Sequence, residues 1–212
     1  MRFAKEAWPF VLPFLLAGGA LVALHRPGWG AALAVVGLLV LLFFRDPRRR
    51  FDGPPGVVLA PADGRVTEIS VVEDPEIGPG RFRRVVTFLN VFDVHVQRCP
   101  VDGKVVHSQL RRGLKLAAFK PDVGEKNEGH TSVFETPGGA RVGVRQLAGL
   151  IARRVVCYLG VGESHRRGDL LGVIKFGSRV DLFVPEGYRV RVAVGDRVRN
   201  GETPVAEPGG AP

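Results

Sequence analysis

The chain has 212 residues, enough for one globular domain with a sizeable core and an accessory segment. Its formal net charge of +9 at pH 7 favours anionic partners, either nucleic acid or an anionic lipid surface. Nucleic acid is the weaker of these, because the basic pairs are scattered and no RNP-like aromatic motif or zinc-finger spacing accompanies them.

The cysteines and histidines give little sign of a disulfide framework or a metal site. Cys99 and Cys157 lack a CxxC or framework spacing, which is typical of a reduced, cytosol-facing domain, with a single disulfide between them as the minor alternative. His107, His130 and His165 show no HExxH or paired-ligand spacing, so no metal is expected.

Two apolar segments open the chain. Residues 8–24 are seventeen residues without a charge, and residues 30–44 are fifteen more. Each is marginal for a membrane span, which needs roughly 20 helical residues. The pair Pro27-Gly28 predicts a turn between them. We therefore expect a helical hairpin that either crosses the membrane twice or enters one leaflet.

Basic residues flank both outer ends of this hairpin. Arg2 and Lys5 precede it, and Arg45 and residues 48–50 follow it. The positive-inside rule then leaves both ends, and the domain that follows, on the cytoplasmic side of the cell membrane. The predicted organisation is a membrane-associated hairpin with a basic flank at residues 1–50 and a β-rich domain at residues 51–212.

From Phe51 onward the pattern changes to short alternating apolar runs separated by turn signals such as Asp63-Gly64. The predicted strands are residues 56–59, 65–72, 82–89, 94–98 and 104–108. Residues 146–159 carry apolar spacings that suit either a helix or a strand, and we expect a helix that starts at Gln146 and runs into a strand at residues 155–159.

Two segments echo each other as strand, proline-containing turn, strand: residues 57–69 and residues 182–192. Residues 194–203 follow with a Gly-Asp-x-Val-x-x-Gly pattern that resembles the hairpins of biotinyl and lipoyl carrier domains and of membrane-fusion adaptors. The predicted fold is mainly β, a sandwich of short strands with carrier-like (barrel-sandwich) hairpins.

The run of residues 172–185 places the dipeptide Gly177-Ser178 between two β-rich apolar stretches. Glycine has no Cβ, so its carbonyl is open to attack by the next hydroxyl, although most Gly-Ser pairs are simply turns. This run closely resembles the self-processing site of the short, membrane-associated phosphatidylserine decarboxylases, which are pyruvoyl-dependent. Residues 43–48, 60–66 and 88–96 match the same family in the same order, so the resemblance covers nearly the whole chain.

The resemblance implies a proenzyme that cuts itself between Gly177 and Ser178 and turns Ser178 into a pyruvoyl group. That group would form a Schiff base with phosphatidylserine, an anionic phospholipid at the membrane, and phosphatidylethanolamine would be the product. The fragments 1–177 and 178–212 would stay associated. An electron sink is needed because acid–base catalysis supplies only roughly 3–5 kcal/mol, whereas enzymes commonly lower barriers by about 8–23 kcal/mol. Pyridoxal phosphate is the usual electron sink, but we find no phosphate loop for it.

The same resemblance assigns the remaining site residues. His95 is the candidate base that activates Ser178, and Asp63 is the candidate partner that orients the imidazole or shares the base function. Longer relatives carry a second histidine where this chain has Arg98, which could instead hold a carboxylate or phosphate. The loop before Asn127-Glu128 is a candidate wall of the site, although a surface turn fits equally well.

Three alternatives remain open. One keeps the chemistry and changes the lipid, for example to an archaetidylserine. Another is a non-catalytic membrane-fusion adaptor, against which stand the basic flank and the lack of coiled-coil heptads. The third is a biotinyl-type carrier, but the turn that should display a lysine reads Pro185-Glu-Gly-Tyr188.

Overall fold

The computed structural model describes residues 2–113, 127–149, 154–175 and 178–209, with the backbone alone at Ser178. The chain divides into two compact units, residues 1–48 and 49–212. The first unit is mostly helical, and the second is built from strands. The predicted fold class, mainly β with an N-terminal helical hairpin, is confirmed.

The first unit is a pair of apolar helices, α1 (Trp8–Ala23) and α2 (Pro27–Phe43). A 3-10 turn, Lys5–Ala7, precedes α1, and two short strands, β1 (Arg2–Phe3) and β2 (Arg45–Asp46), pair antiparallel at the outer ends. The helical stretch Lys5–Ala23 is long and apolar enough to cross a membrane, whereas α2 is a shorter apolar helix.

The turn between the helices lies at residues 24–26, so the predicted turn at Pro27-Gly28 is wrong in position. His25 takes the left-handed conformation with φ of 57°, and Pro27 is the first residue of α2. The reason is that proline lacks only an N–H that the first helical turn does not use, and its fixed φ suits that position. Where the helices cross, a Cβ on Gly30 would lie 2.7 Å from the Gly18 carbonyl oxygen, so the two backbones touch.

The second unit contains the remaining strands. In chain order they are β3 (Val58–Leu59), β4 (Gly64–Glu73), β5 (Arg81–Leu89), β6 (Val96–Arg98), β7 (Gly103–Arg111), β8 (Gly129–Glu135), β9 (Arg141–Ala148), β10 (Val155–Cys157), β11 (Ser164–His165), β12 (Leu170–Ile174), β13 (Ser178–Pro185), β14 (Tyr188–Val190), β15 (Arg197–Val198) and β16 (Pro204–Pro208). The five strands predicted between residues 56 and 108 all appear, as β3 to β7.

These strands form three antiparallel sheets. The largest has eight strands in the order β11-β7-β8-β9-β13-β5-β4-β15, and the others have the orders β10-β12-β6 and β14-β16-β3. The two echoing segments supply β3 and β14, which pair with opposite edges of β16. The strand β13 lies inside the large sheet, between β5 and β9.

The alternation of side chains along β13 shows how the sheets share one core. Val180, Leu182 and Val184 are buried in the main cluster together with residues of the two small sheets. Phe183 lies on the other face, in a second cluster with Ile77 and residues of β5 and β8. Period-2 alternation in a strand that is buried on both faces therefore fixes the register of β13.

The helix expected to start at Gln146 is wrong. Gln146 and Leu147 belong to β9, where they pair with both β8 and β13. The apolar spacing of this segment suits either structure, and two flanking strands decide in favour of the sheet. The strand expected at residues 155–159 is present as the shorter β10. Residues 150–153 lie outside the described residues.

Candidate active site

The motifs around Asp63 and Ser178 lie at the same end of the strands in the eight-stranded sheet. Ser178, the first residue of β13, pairs with Leu89 at the end of β5 and with Ala148 at the end of β9. β4 begins at Gly64 beside the same end of β5, immediately after Asp63. The backbone of Ser178 and the motif around Asp63 are therefore separated by one strand. Gly177 and the side chain of Ser178 lie outside the described residues.

Gly64 explains why the Asp-Gly pair holds this position. Its φ is +153°, and a Cβ would lie 2.2 Å from the carbonyl oxygen of Phe88. Only glycine permits so close an approach of the two backbones. The glycine thus brings Asp63 to the end of β5, which an ordinary turn would not require.

His95 lies in the segment between β5 and β6, and its backbone is tied to the strand that leads to Ser178. The carbonyl oxygen of His95 accepts hydrogen bonds from Ile174 N at 3.2 Å and from Gln97 Nε2 at 2.7 Å. Ile174 is the last residue of β12, four positions before Ser178. His95 therefore follows the strand paired with Ser178 and contacts the strand that precedes Ser178.

The imidazole of His95 is fully buried, and its tautomer follows from its contact. Nδ1 lies 2.9 Å from the backbone oxygen of Asp93. Because a carbonyl oxygen only accepts, Nδ1 carries the hydrogen, and in the neutral ring the lone pair is on Nε2. This is the form that a general base requires.

Asp93 and its partners hold the segment that carries His95. The carboxylate of Asp93 accepts from Arg197 Nη2 at 2.5 Å and from the backbone N–H of Asn90 at 2.9 Å. The atom beside His95 Nδ1 is the Asp93 carbonyl oxygen, whereas the predicted partner was Asp63, either to orient the imidazole or to share the base function. Asp93 was present in the matched motif at residues 88–96, but neither its residue type nor its spacing distinguished it from the other motif residues.

The carboxylate of Asp63 accepts hydrogen bonds from Arg49 Nη2 at 2.7 Å and from the backbone N–H of Asn200 at 2.8 Å. Burial raises the pKa of Asp63 above its ordinary value, and this effect exceeds the opposing effects of Asn200 and Arg49. Asn200 Nδ2 also donates to the Val96 carbonyl at 3.0 Å, directly after His95. Asn200 therefore links Asp63 to the strand that begins after His95.

Two arginines have contacts that the sequence analysis did not predict. Arg98 Nη1 donates to the backbone oxygen of Gly168 at 2.8 Å. Arg49, assigned to the basic flank of the membrane segment, pairs with Glu202 at 3.0 Å in addition to Asp63. Asn200 and Glu202 lie in the carrier-like hairpin, whose Gly-Asp-x-Val-x-x-Gly pattern was the only available signal for this part of the site.

A pair of buried glutamines supports the His95 segment from the sheet. Gln146 Nε2 donates to Gln97 Oε1 at 2.9 Å, and Gln97 in turn donates to the His95 carbonyl. Asn127, expected beside a wall of the site, is buried and donates to the carbonyl of Ala148 at 2.7 Å, next to Ser178 in the sheet. Sequence reasoning missed both glutamines.

Among the described residues, no group of three His, Cys, Asp or Glu side chains is arranged to hold a metal ion. Cys99 and Cys157 are both free thiols. The described site contains a buried imidazole, a carboxyl group with a raised pKa, and the start of β13.

Comparison with known proteins identifies the family of this chain. The family described as phosphatidylserine decarboxylase matches residues 36–206. The chain belongs to that family. It is 43% identical over 209 residues to the phosphatidylserine decarboxylase proenzyme of Nitrosomonas europaea, a match that covers 96% of this chain and 94% of the relative.

Other phosphatidylserine decarboxylase proenzymes are also similar to this chain over nearly its whole length. The protein of Symbiobacterium thermophilum is 45% identical over 206 residues, covering 94% of this chain and 93% of the relative. That of Burkholderia ambifaria is 40% identical over 206 residues, covering 96% and 95%. The resemblance inferred from residues 172–185 is confirmed, and the chain is a member of a decarboxylase family rather than an adaptor or a carrier.

Proposed function

We propose that this protein decarboxylates phosphatidylserine to phosphatidylethanolamine, using a pyruvoyl group that it makes from Ser178 by cutting the Gly177–Ser178 bond. The observation that carries the proposal is the position of Ser178. It lies at the end of the large sheet's strands where Asp63 also lies, and the segment of His95 contacts the strand just before it. The relatives are named proenzymes, which supports processing of the chain.

Self-cleavage follows from the functional groups. Ser178 Oγ attacks the Gly177 carbonyl, and an ester replaces the amide. A base then removes the Ser178 α-proton, the ester C–O bond breaks, and Gly177 leaves as a carboxylate. The dehydroalanine that remains tautomerises, and water hydrolyses it to release ammonia. The products are residues 1–177 and residues 178–212, the latter beginning with pyruvoyl.

His95 is the base that these steps need. Its Nδ1–H donates to the Asp93 carbonyl, so in the neutral ring the lone pair that would take the Ser178 hydroxyl proton is on Nε2. Burial of the ring keeps competing water away. The residues present thus fit the group: the segment of His95 contacts the end of β12, four residues before Ser178, and Asp63, whose carboxyl group has a raised pKa, lies one strand away from β13.

The pyruvoyl group supplies a carbonyl that binds the substrate amine and accepts the electrons released when carbon dioxide leaves. This chain's own residues then have one further task, to return a proton to the substrate Cα. The raised pKa of Asp63 makes its carboxyl group easier to protonate than an ordinary one, which suits a proton donor. His95 is the second candidate for this step.

The fold also supports association of the two fragments. The segment 178–212 supplies β13 inside the large sheet, β15 at its edge, and the adjacent pair β14 and β16 in a small sheet. Val180, Leu182 and Val184 are buried in the common core. Separation of the fragments would expose these side chains at a cost of about 1.5–3 kcal/mol each.

The membrane location is part of the proposal. The segment Lys5–Ala23 is long and apolar enough to span, and the net charge of +9 attracts an anionic leaflet. Arg45, Arg48 and Arg50 follow the helices, which supports a catalytic domain on the cytoplasmic side.

Intact-mass spectrometry of the purified protein tests the proposal. We expect two fragments, the smaller equal to residues 178–212 with pyruvoyl in place of serine. The processed protein should convert phosphatidylserine in mixed micelles to phosphatidylethanolamine with release of carbon dioxide. A single uncut chain that still decarboxylates, or a cut chain without pyruvoyl, would contradict the mechanism.

A further inference from the structure

A cavity of about 700 Å³ is lined by none of Ser178, His95 and Asp63. Its walls include Arg112, Glu128, His130, Arg154 and Cys157. Two of its walls lead back to the processing site. The carbonyl of Glu128 accepts the N–H of Ala148, the partner of Ser178, and Val155, beside Arg154, pairs with Ile174 at the end of β12.

The charges in this cavity favour an anion. Arg112 and Arg154 bring two positive charges, and Glu128 brings one negative charge. Burial lowers the pKa of His130 to about 4, and repulsion from His107 adds to this, so His130 is neutral at pH 7. The described wall therefore carries a net charge of +1, opposite to that of one phosphodiester.

The neutral His130 contributes polarity without charge. Its two ring nitrogens lie 3.4 Å from Ser108 Oγ and 3.3 Å from Ser132 Oγ. Ser132 Oγ is also 3.6 Å from Cys157 Sγ. The lining at His130 and Cys157 is thus polar, while Val155, Val156 and Leu110 make another part of the lining apolar.

We propose that this cavity binds the phosphodiester of the lipid head group, with Arg112 and Arg154 pairing with its oxygens. The proposal rests on the proposed function. Neighbouring strands are ~4.8 Å apart, so the backbones of Ser178 and Glu128 are separated by roughly 10 Å. The substrate phosphorus is four bonds, or roughly 5 Å, from the amine that bonds at residue 178. Arg112 follows the pair Arg111–Gly129, so its backbone is one strand farther from Ser178, and the proposal requires its long side chain to extend toward β13.

The chemistry also favours the phosphate over the substrate carboxylate as the arginine ligand. The carboxylate loses its charge in the reaction, so an arginine that held it would stabilise the ground state and slow the reaction. The phosphodiester keeps its charge from substrate to product. Arginines placed on it strengthen binding without opposing loss of carbon dioxide.

The first test measures how tightly two amines bind to the processed full-length protein in detergent. Glycerophosphoethanolamine and ethanolamine share the amine but differ in the phosphate. Reduction with cyanoborohydride fixes either amine on the fragment 178–212, and mass spectrometry gives the half-saturating concentration. We expect glycerophosphoethanolamine to saturate at a concentration at least about tenfold lower, since charge-assisted hydrogen bonds are strong.

Matched variants locate the effect. The double variant Arg112→Gln/Arg154→Gln should bring the two half-saturating concentrations within about twofold of each other, mainly by weakening glycerophosphoethanolamine binding. Glu128→Gln should increase the preference for the phosphate. Arg166→Gln, which removes an exposed arginine elsewhere, should change neither value. An unchanged preference in the double variant would overturn the proposal.

A second measurement does not need the pyruvoyl group. Cys157 lines the cavity, whereas burial raises the pKa of the Cys99 thiol well above its usual range, so iodoacetamide should modify Cys157 selectively. Glycerophosphoserine should slow this modification in wild type and in uncut Ser178→Ala, but not in the double arginine variant. Glycerol is the control ligand.

The two measurements separate the possible failures. If the wild-type protein carries no pyruvoyl, the proposed function fails, while protection of Cys157 still decides the phosphate site. If glycerophosphoserine gives no protection, or protects the double variant equally, the phosphate site is wrong even when the enzyme is active.

Discussion

Two polar clusters of the β-rich unit, each containing a buried side chain, differ in how ion pairing and burial affect the pKa values of their carboxyl groups. In the first, Arg145 donates to both carboxylate oxygens of Asp74, at 2.7 and 3.0 Å, to Glu76 at 2.7 Å and to Thr131 at 3.0 Å. Burial alone would raise the pKa of Glu76, but hydrogen bonds from Thr131 and Arg145, with the charge of Arg145, lower it overall. This cluster consists of fully paired ions.

The second cluster surrounds His95 and Asp63. Asp63 also has an arginine partner, Arg49, yet burial dominates and its pKa is raised. The histidine is oriented by a backbone carbonyl, so no ionic partner fixes its charge through that contact. The comparison teaches that paired ions stabilise a fold, whereas groups whose protonation burial has shifted are suited to proton transfer.

Ser178→Ala is expected to have the largest effect, and it acts on the proposed chemistry beside the His95 cluster rather than on the Arg145 cluster. Removing the hydroxyl should abolish both cleavage and decarboxylation, because neither the ester nor the pyruvoyl group can form. The variant should run as one uncut chain by mass spectrometry and release no carbon dioxide from phosphatidylserine. Substantial turnover in this variant would rule out Ser178 as the precursor.

The next largest effect is expected from His95→Gln. Loss of a positioned base should slow turnover about 10²- to 10⁴-fold per pyruvoyl-carrying chain. A glutamine amide can still donate to the Asp93 carbonyl, so the free energy of unfolding should change by less than about 1.5 kcal/mol, the scale of one hydrogen bond. The check is a time course of cleavage and turnover alongside a urea titration.

His95→Gln also tests whether His95 serves the chemistry, in contrast to the structural role of the Arg145 cluster. If turnover per pyruvoyl falls less than twofold while the unfolding free energy drops by several kcal/mol, His95 belongs with the structural ions rather than with the chemistry. Measuring cleavage and turnover separately shows whether His95 serves one step or both.

Arg145→Met should show the opposite profile. The substitution leaves the partly buried Asp74 and Glu76 without their cation, which should cost about 2–3 kcal/mol of unfolding free energy, because partial exposure lets water solvate the two carboxylates. Pyruvoyl formation and turnover by the folded fraction should be preserved. Urea titration at pH 7 and an assay normalised to folded protein measure the two quantities.

A matched arginine provides the control for this prediction. Arg84 pairs with Glu68 at 2.6 Å, but both side chains are partly exposed. Arg84→Met should therefore cost less than about 1 kcal/mol. Equal losses from the two variants would mean that burial does not distinguish the Arg145 cluster.

The strands and the helical hairpin were predictable because their signals are local. Alternation of apolar residues in β4 and β5, and uncharged runs in α1 and α2, depend on neighbours in sequence. The segment at Gln146 was not predictable in this way, since its spacing fits both structures and its partners in β8 and β13 decide the outcome.

The candidate site shows the same difference between local signals and contacts that join distant parts of the chain. Asp63, His95 and Ser178 were predicted from motifs. The large sheet brings the segments of Asp63 and Ser178 to the same end of its strands, and the segment of His95 contacts β12, just before Ser178. Arg49 and Asn200 were not found, because their contacts with Asp63 join residues far apart in the chain. A single sequence records such a contact only as an ordinary basic or turn residue.

The smallest effect concerns the pH dependence contributed by His130. Its pKa is lowered to about 4 by burial and by His107, whereas an unfolded histidine titrates near its ordinary pKa of 6.5. As the pH falls through this window, the unfolded chain binds a proton before the folded chain does. Folding stability is therefore lost between about pH 6.5 and pH 4, and close to 2 kcal/mol, on the order of 1.4 per pH unit, should be lost by pH 5.

His130→Gln isolates this contribution, because glutamine can contact Ser108 and Ser132 without titrating. Both proteins should carry Ser178→Ala, so that each unfolds as one uncut chain. The wild-type residue should lose about 2 kcal/mol more between pH 7 and pH 5 than the variant does in urea titrations. Equal losses would show that His130 titrates normally, and the cavity beside Arg112 and Arg154 would then become more positive in mild acid than its lining at pH 7 implies.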